Sequence, residues 1–467
     1  MEINQNIIHE LILKQRQFFL SNVTLNIKYR IDSLKKLKNA IKKYEKKLID
    51  ALTIDLGRHP LEGFLSDVGP VYGEIDEAIK NLKKWQKPTK LYSGLCNFPS
   101  TRSYIYKMPY GVVLIISPFN FPVYLTFAPV VAAIAGGNTC VVKTSSKSSM
   151  ATIVMKELIE STFDDNYIAL FDGGHDVSDM LLDERFDKIF YTGSPEVGKH
   201  VLAKAAPNLT PCALELGGEN GNWAIVTKNA DIHDAARKIA FFKILNSGQI
   251  CINVNQVAVS KTIASKFIDA LKEEFTKQIG DAVNNAEYPK LINLAAFNKC
   301  LDKINEYKDK IIYGGSSNSD TLKISPTILC PIDINDKIVQ KELFNPILPI
   351  VIFDDDHIEE LFRIIQDREH GLALYLFTKD LKWGKDVMQK MQYGGGCINE
   401  VCVHLMVKGA PFNGVGHSGM GRYHGKWGFD EFTHPQTVLI GKTKLNLSLR
   451  EHPYTDKKEK LIKKILK

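Results

Sequence analysis

The chain has 467 residues, of which 44% are hydrophobic and 24% charged, with a formal net charge of +7. That length exceeds one simple core and predicts two or three domains, and the composition excludes a wholly disordered chain. The positive charge is dispersed: the lysines between Lys35 and Lys47 interleave with Leu34, Leu37, Ile41 and Tyr44 at helical spacing, which describes a solvated helix face and predicts no nucleic-acid partner.

The N-terminus, MEINQNIIHELILKQ, has an early acid and no small-residue cleavage site, so it does not read as a signal peptide. The first ninety residues carry apolar positions at intervals of three and four and predict helices. RSYIYKM alternates like an exposed strand. From Met108 to Val142 there is no charge, long enough to span a bilayer. Pro118, Pro122, Pro129, Gly136 and Gly137 punctuate it, however, and predict strand, loop, apolar helix and strand instead. Strands and helices continue to alternate through FDKIFYTG. This rhythm predicts an α/β protein with a parallel, doubly wound sheet. A second alternating block runs from about 222 to 379, and FTHPQTVLIGKTKL reads as a late strand. The basic tail YTDKKEKLIKKILK sets Leu461, Ile462, Ile465 and Leu466 on one stripe. It predicts a terminal helix that is docked or solvated, with weak contact to an anionic membrane surface as the other reading.

Eight cysteines lie far apart, the nearest two being Cys397 and Cys402. No histidine spacing beside them suits zinc, so no metal is expected. Free thiols in a reducing, cytoplasmic compartment fit this usage. One loop is deceptive. Gly193 to Lys199 in YTGSPEVGKH spells G-x-x-x-x-G-K, but His200 stands where a P-loop needs Ser or Thr. What remains is a glycine turn before a helix, which can present N–H groups to a phosphate.

Three further residues are candidates for chemistry. Cys251 lies in NSGQICINVNQ, an uncharged, amide-rich stretch. Such a thiol is either inert core or, in an electropositive or polar pocket, a nucleophile. Glu215 in ALELGGEN is either a strand-end surface acid or a buried carboxylate suited to general-base work. Asn120 in SPFNFP is either a turn residue or an amide donor.

SPFNFP, YTGSPEVGK, LELGGEN, NSGQIC, KELFNPILPI and PFNGVGHSGMGRYHG occur in that order. Together they resemble the NAD(P)-dependent aldehyde dehydrogenase superfamily over roughly residues 10 to 445. REHGLALYLFTK and GMGRYHGKWGFDEFTH are similar to its class 3, or fatty aldehyde dehydrogenase, branch. The resemblance implies a Rossmann-type cofactor domain (1–90 and 108–217) and an α/β catalytic domain (218–425). It also implies a small β arm for bridging and oligomerisation (91–107 and 430–446) and a homodimer; residues 447–467 form the tail. It implies that Cys251 attacks the aldehyde, that Asn120 and the Cys251 N–H steady the oxyanion, and that Glu215 activates water for thioester hydrolysis. Ser194 would meet the pyrophosphate, Lys143 the adenine ribose, and Glu342 and Phe344 the nicotinamide ribose and ring. Ser117, Ser146, Gly193, Val197, Leu216 and Gly217 complete the implied cofactor contacts.

Three departures matter. Ser146 stands where many relatives carry a glutamate that grips the ribose 2′-hydroxyl, so NADP as well as NAD is expected. Asn345 and Asn413 replace glycines, and asparagine tolerates left-handed backbone. The expected reaction is oxidation of a medium or long aliphatic, or aromatic, aldehyde to its acid. A coenzyme A-acylating enzyme and a silent relative with a binding or structural role are the alternatives.

Overall fold

The computed structural model describes residues 3–94, 101–444 and 448–466. Residues 1–2 of the expected cofactor domain, 95–100 and 445–446 of the expected arm, and 447 and 467 of the tail lie outside them. Two sheets carry the architecture. The first has the order Gly419–Met420, Cys212–Leu216, Lys188–Gly193, Val112–Ile116, Thr139–Lys143, Ile168–Phe171. Five of its strands are parallel, and Gly419–Met420 adds an antiparallel edge with Gly419 opposite Glu215. The parallel strands are almost wholly buried, as in VVLII and TCVVK. Strands covered on both faces read as continuous apolar runs rather than alternation. Chain order reverses between Val112–Ile116 and Lys188–Gly193, and the carboxyl ends of such a pair form the crevice in which doubly wound sheets bind ligands.

The second sheet runs Ile311–Tyr313, Thr327–Leu329, Ile347–Phe353, Gln256–Ser260, Trp223–Val226, Ala373–Phe377, Gly395–Ile398. All of its pairings are parallel except that of Ile311–Tyr313. Residues 217–222 join the two sheets directly, from Leu216 to Trp223. A third sheet pairs Thr101–Pro109 with Thr433–Gly441 on one side and Thr89–Leu91 on the other, all antiparallel.

The uncharged stretch from Met108 folds as a strand, the buried helix Tyr124–Gly136 and the strand Thr139–Lys143. Gly137 ends that helix at φ 91°, where the guanidinium of fully buried Arg30 leaves no room for a Cβ. Among the described residues no helix is long and apolar enough to cross a membrane. The tail forms the helix Asp456–Leu466, none of whose residues is buried; Leu461 and Leu466 face solvent.

Candidate active site

The helix Ile232–Ile244 runs into a short turn, Leu245–Gly248, in which Asn246, Ser247 and Gly248 take φ of 49°, 52° and 75°. Two non-glycine residues in left-handed backbone cost about 1–3 kcal/mol each, and such strain persists only where the surroundings enforce it. Here the amides enforce it. Asn246 Nδ2 donates to the carbonyls of Asn120 and Gln249, both at 3.0 Å. Gln249 Nε2 donates to Asn246 O at 3.0 Å and Lys290 O at 3.1 Å, while its Oε1 accepts from Ile292 N. Asn253 donates to Gly248 O, and Asn222 Nδ2 holds the carbonyl of Cys251 at 2.8 Å. The amide-rich composition therefore braces the loop. It does not form the polar pocket around the sulfur that the sequence suggests.

Cys251 sits half-buried at the end of this frame. Burial, then the nearby carboxyls of Glu342 and Glu215, push its thiol up to about 12, so it is protonated at neutral pH in this state. Glu215 lies on the strand Cys212–Leu216 between Thr192 and Gly419, and is buried. Both of its carboxyl oxygens lack a hydrogen-bond partner. Burial, and secondarily the charge of Glu431, hold it well above the usual carboxylate range. Burial also pushes Glu342 up to about 8. Its carboxyl lies against Gly217, where a Cβ would overlap it. Thus LELGG, NSGQIC and KELF, far apart in sequence, bring together three acids whose burial disfavours the charged form.

Asn120 is buried, and its Nδ2 donates to Gln249 O at 3.1 Å. A carbonyl partner fixes which end of the amide is nitrogen, and the NH2 group keeps a second hydrogen. Phe119, its neighbour, meets Phe344 edge to face at 5.8 Å, which brings SPFNFP against KELFNP. Phe344 itself takes φ 53°, whereas Asn345 and Asn413 do not have positive φ. The expected reason for asparagine at those two positions therefore does not apply. Asn345 instead uses its Oδ1 to accept from Ile347 N at 3.0 Å, and its carbonyl fills the space a Cβ on Gly248 would need.

The remaining candidates line the carboxyl edge of the first sheet. Ser117 follows Val112–Ile116, and its Oγ accepts from Thr126. Gly193 closes the adjacent strand opposite Leu216. Ser194 caps the helix Pro195–Ala205 by accepting from Val197 N at 3.4 Å. Ser194 itself is exposed; Pro195 has no N–H and the N–H of Val197 is held by Ser194, which leaves that of Glu196 at the helix start. Lys143 ends Thr139–Lys143 and donates to the carbonyls of Thr144 and Gly173, both at 2.7 Å; burial brings it down to about 8. Ser146 is exposed in the next turn, and Lys147 lies 5.2 Å over the Phe119 ring. The helix start and switch point are the places that would hold a phosphate, and the Gly217, Glu342 and Phe344 end the one that would hold a ring and ribose.

Sequence reasoning missed Arg58, Asp67, Asn222 and Tyr423. Tyr423 is buried, and burial with the charges of Glu215, Tyr124 and Cys251 raises its hydroxyl well above the usual range. Tyr423 lies within the motif GMGRYHG, but no local pattern signals the other three, because they become buried through contacts with other elements.

A family model described as the aldehyde dehydrogenase family matches residues 4–438. A 4,4'-diaponeurosporen-aldehyde dehydrogenase of Staphylococcus aureus is 38% identical over 453 residues, covering 97% of this chain and 98% of that protein. An aldehyde dehydrogenase of Canis lupus familiaris, named dimeric and NADP-preferring, is 36% identical over 437 residues, covering 93% and 94%. Other relatives carry the name aldehyde dehydrogenase family 3. The structure of the substrate-bound state of Staphylococcus aureus AldH superposes with a TM-score of 0.95 at 37% identity and covers all of both chains.

Proposed function

Since this chain belongs to the aldehyde dehydrogenase family, it is an NAD(P)-dependent aldehyde dehydrogenase, and we propose that it oxidises medium or long apolar aldehydes through Cys251. The observation that carries this reading is that half-buried Cys251 lies near buried Glu215, whose two oxygens have no partner. In the reading, the Cys251 thiol gives its proton to solvent, and its sulfur bonds to the carbonyl carbon as the carbonyl π pair moves onto oxygen. The developing oxyanion is held by the free N–H of Asn120 and the backbone N–H of Cys251. When bound, an oxidised nicotinamide would supply the hydride acceptor, with Glu342 and Phe344 as the residues that would hold its ribose and ring. Loss of hydride leaves a thioester on Cys251. Glu215, once deprotonated, takes a proton from water, which attacks the thioester and releases the acid.

Replacing Asn120 by alanine removes one donor and is expected to lower kcat by roughly 10²–10³-fold. Steady-state kinetics with cofactor KM as control check it, and an unchanged kcat rules the donor role out.

Support for an apolar substrate comes from the segment after Cys402, whose Sγ donates to Ile252 O at 3.1 Å. That segment exposes Val403, Met406 and Val407 next to the nucleophile loop. In a series of aliphatic aldehydes, kcat/KM is expected to rise about fourfold per added methylene until the tunnel is filled. A flat series contradicts the substrate class. The same series run with each cofactor tests the expectation at Ser146. NADP is expected to bind within about a hundredfold, or ~2.7 kcal/mol, of NAD, because no carboxylate stands at position 146 and Lys147 beside it is exposed. A larger penalty against NADP overturns that part.

A further inference from the structure

Arg58 has 0% exposure, as has Asp67. A buried guanidinium needs many acceptors, and here they converge on the two loops that carry the chemistry. Its Nη1 donates to Asp67 Oδ2 at 3.0 Å, its Nε to Asn246 Oδ1 at 3.0 Å, and its Nη2 to the carbonyl of Asn120. Glu62 lies 3.7 Å away and accepts from Asn246 N at 2.9 Å. The guanidinium plane lies 4.4 Å over the ring of Phe121. Asp67 also accepts from Tyr124 N at 2.6 Å. It sits in a π-helical turn, Phe64–Val68, closed by Gly69 N–H to Phe64 O. Such turns are rare and frequent at functional sites.

We propose that Arg58, anchored by Asp67, is a positioning residue that fixes the Asn120 amide for the oxyanion. It does so by clamping the backbone of SPFNFP to the strained turn of NSGQIC. Asn246 completes the clamp, since one side chain accepts from Arg58 and donates to Asn120 O. The Asn120 side chain is then orientated by Gln249 O, a carbonyl of the same turn. Arg58 touches neither the sulfur nor Glu215 in this arrangement. It acts through the carbonyl of Asn120, so its loss misplaces the donor by shifting backbone. A point charge cannot replace the fork, because a lysine ammonium reaches Asp67 without also reaching Asn246 and Asn120.

The proposal rests on Asn120 being the oxyanion donor, and the test separates the two. Arg58→Lys, Asn120→Ala and the double variant are compared for kcat, for cofactor KM and for the rate at which iodoacetamide alkylates Cys251. Arg58→Lys is expected to lower kcat by roughly 10–10²-fold, less than complete loss of the donor. Cofactor KM and alkylation rate stay near wild type. In the Asn120→Ala background the same change is expected to lower kcat by less than about twofold, because independent sites multiply and dependent ones do not. Full multiplicative loss in the double variant, or an unchanged kcat in Arg58→Lys, overturns the proposal. An unchanged kcat in Asn120→Ala instead overturns the donor reading on which it stands. If Arg58→Lys melts below the assay temperature, Asp67→Asn carries the same expectations, because it removes the charge that anchors Arg58 and leaves the Asn246 bonds to Asn120 O and Gln249 O in place.

Discussion

Replacing Cys251 by alanine is expected to reduce aldehyde-dependent formation of reduced cofactor by roughly 10⁴–10⁶-fold, the scale on which loss of a covalent nucleophile falls. The loss is chemical rather than structural. Cys251 is half-buried, and the turn before it is held by the side chains of Asn246, Gln249 and Asn253. Thermal unfolding should therefore shift by little, since small truncations away from a fully packed core stay within about 1 kcal/mol. Activity is read by absorbance of the reduced cofactor, and stability by calorimetry on the same sample. Retained turnover in the alanine variant would sink the covalent mechanism.

Replacing Glu215 by glutamine keeps the shape and removes the base. One equivalent of reduced cofactor per site is expected in a burst, followed by turnover slower by roughly 10²–10⁴-fold. The pH dependence follows from the sign of the shift. Glu215 is held above its ordinary value by burial, so it is a neutral acid below that raised value and a base above it. Steady-state turnover of the wild type therefore rises with pH as Glu215 ionises, above the usual carboxylate range, and in the glutamine variant that limb disappears from deacylation. The burst phase keeps its own rise, because the Cys251 thiol is also raised. A coenzyme A-acylating enzyme would behave differently: added coenzyme A would accelerate the wild type and rescue the variant.

Much of the fold is legible in the sequence because parallel strands covered on both faces spell apolar runs. VVLII, TCVVK and IALF are such runs, and glycine or proline marks their ends. The family is legible because its motifs are short stretches with specific residues at fixed order. The internal logic of the site is less so. Arg58 and Asp67 look like surface charges between helices, and only the approach of residues 120–124 and 246 buries them. The amides around Cys251 suggest a polar pocket, yet their partners are carbonyls of the loop itself. Gly248 alone predicts one left-handed residue, whereas three occur in succession. The edge strand Gly419–Met420 is two residues long, too short for any period to announce it, although it lies directly beside Glu215.

The central claim is tested most directly by trapping the intermediate. The Glu215→Gln variant is incubated with oxidised cofactor and a long aliphatic aldehyde, quenched in acid, digested with trypsin and analysed by mass spectrometry. Peptide 244–261 contains Cys251 as its single cysteine. That peptide should gain the mass of the aldehyde less two hydrogens, in step with the burst of reduced cofactor. A full burst with this peptide unmodified, or with the acyl group on another cysteine, would contradict the account.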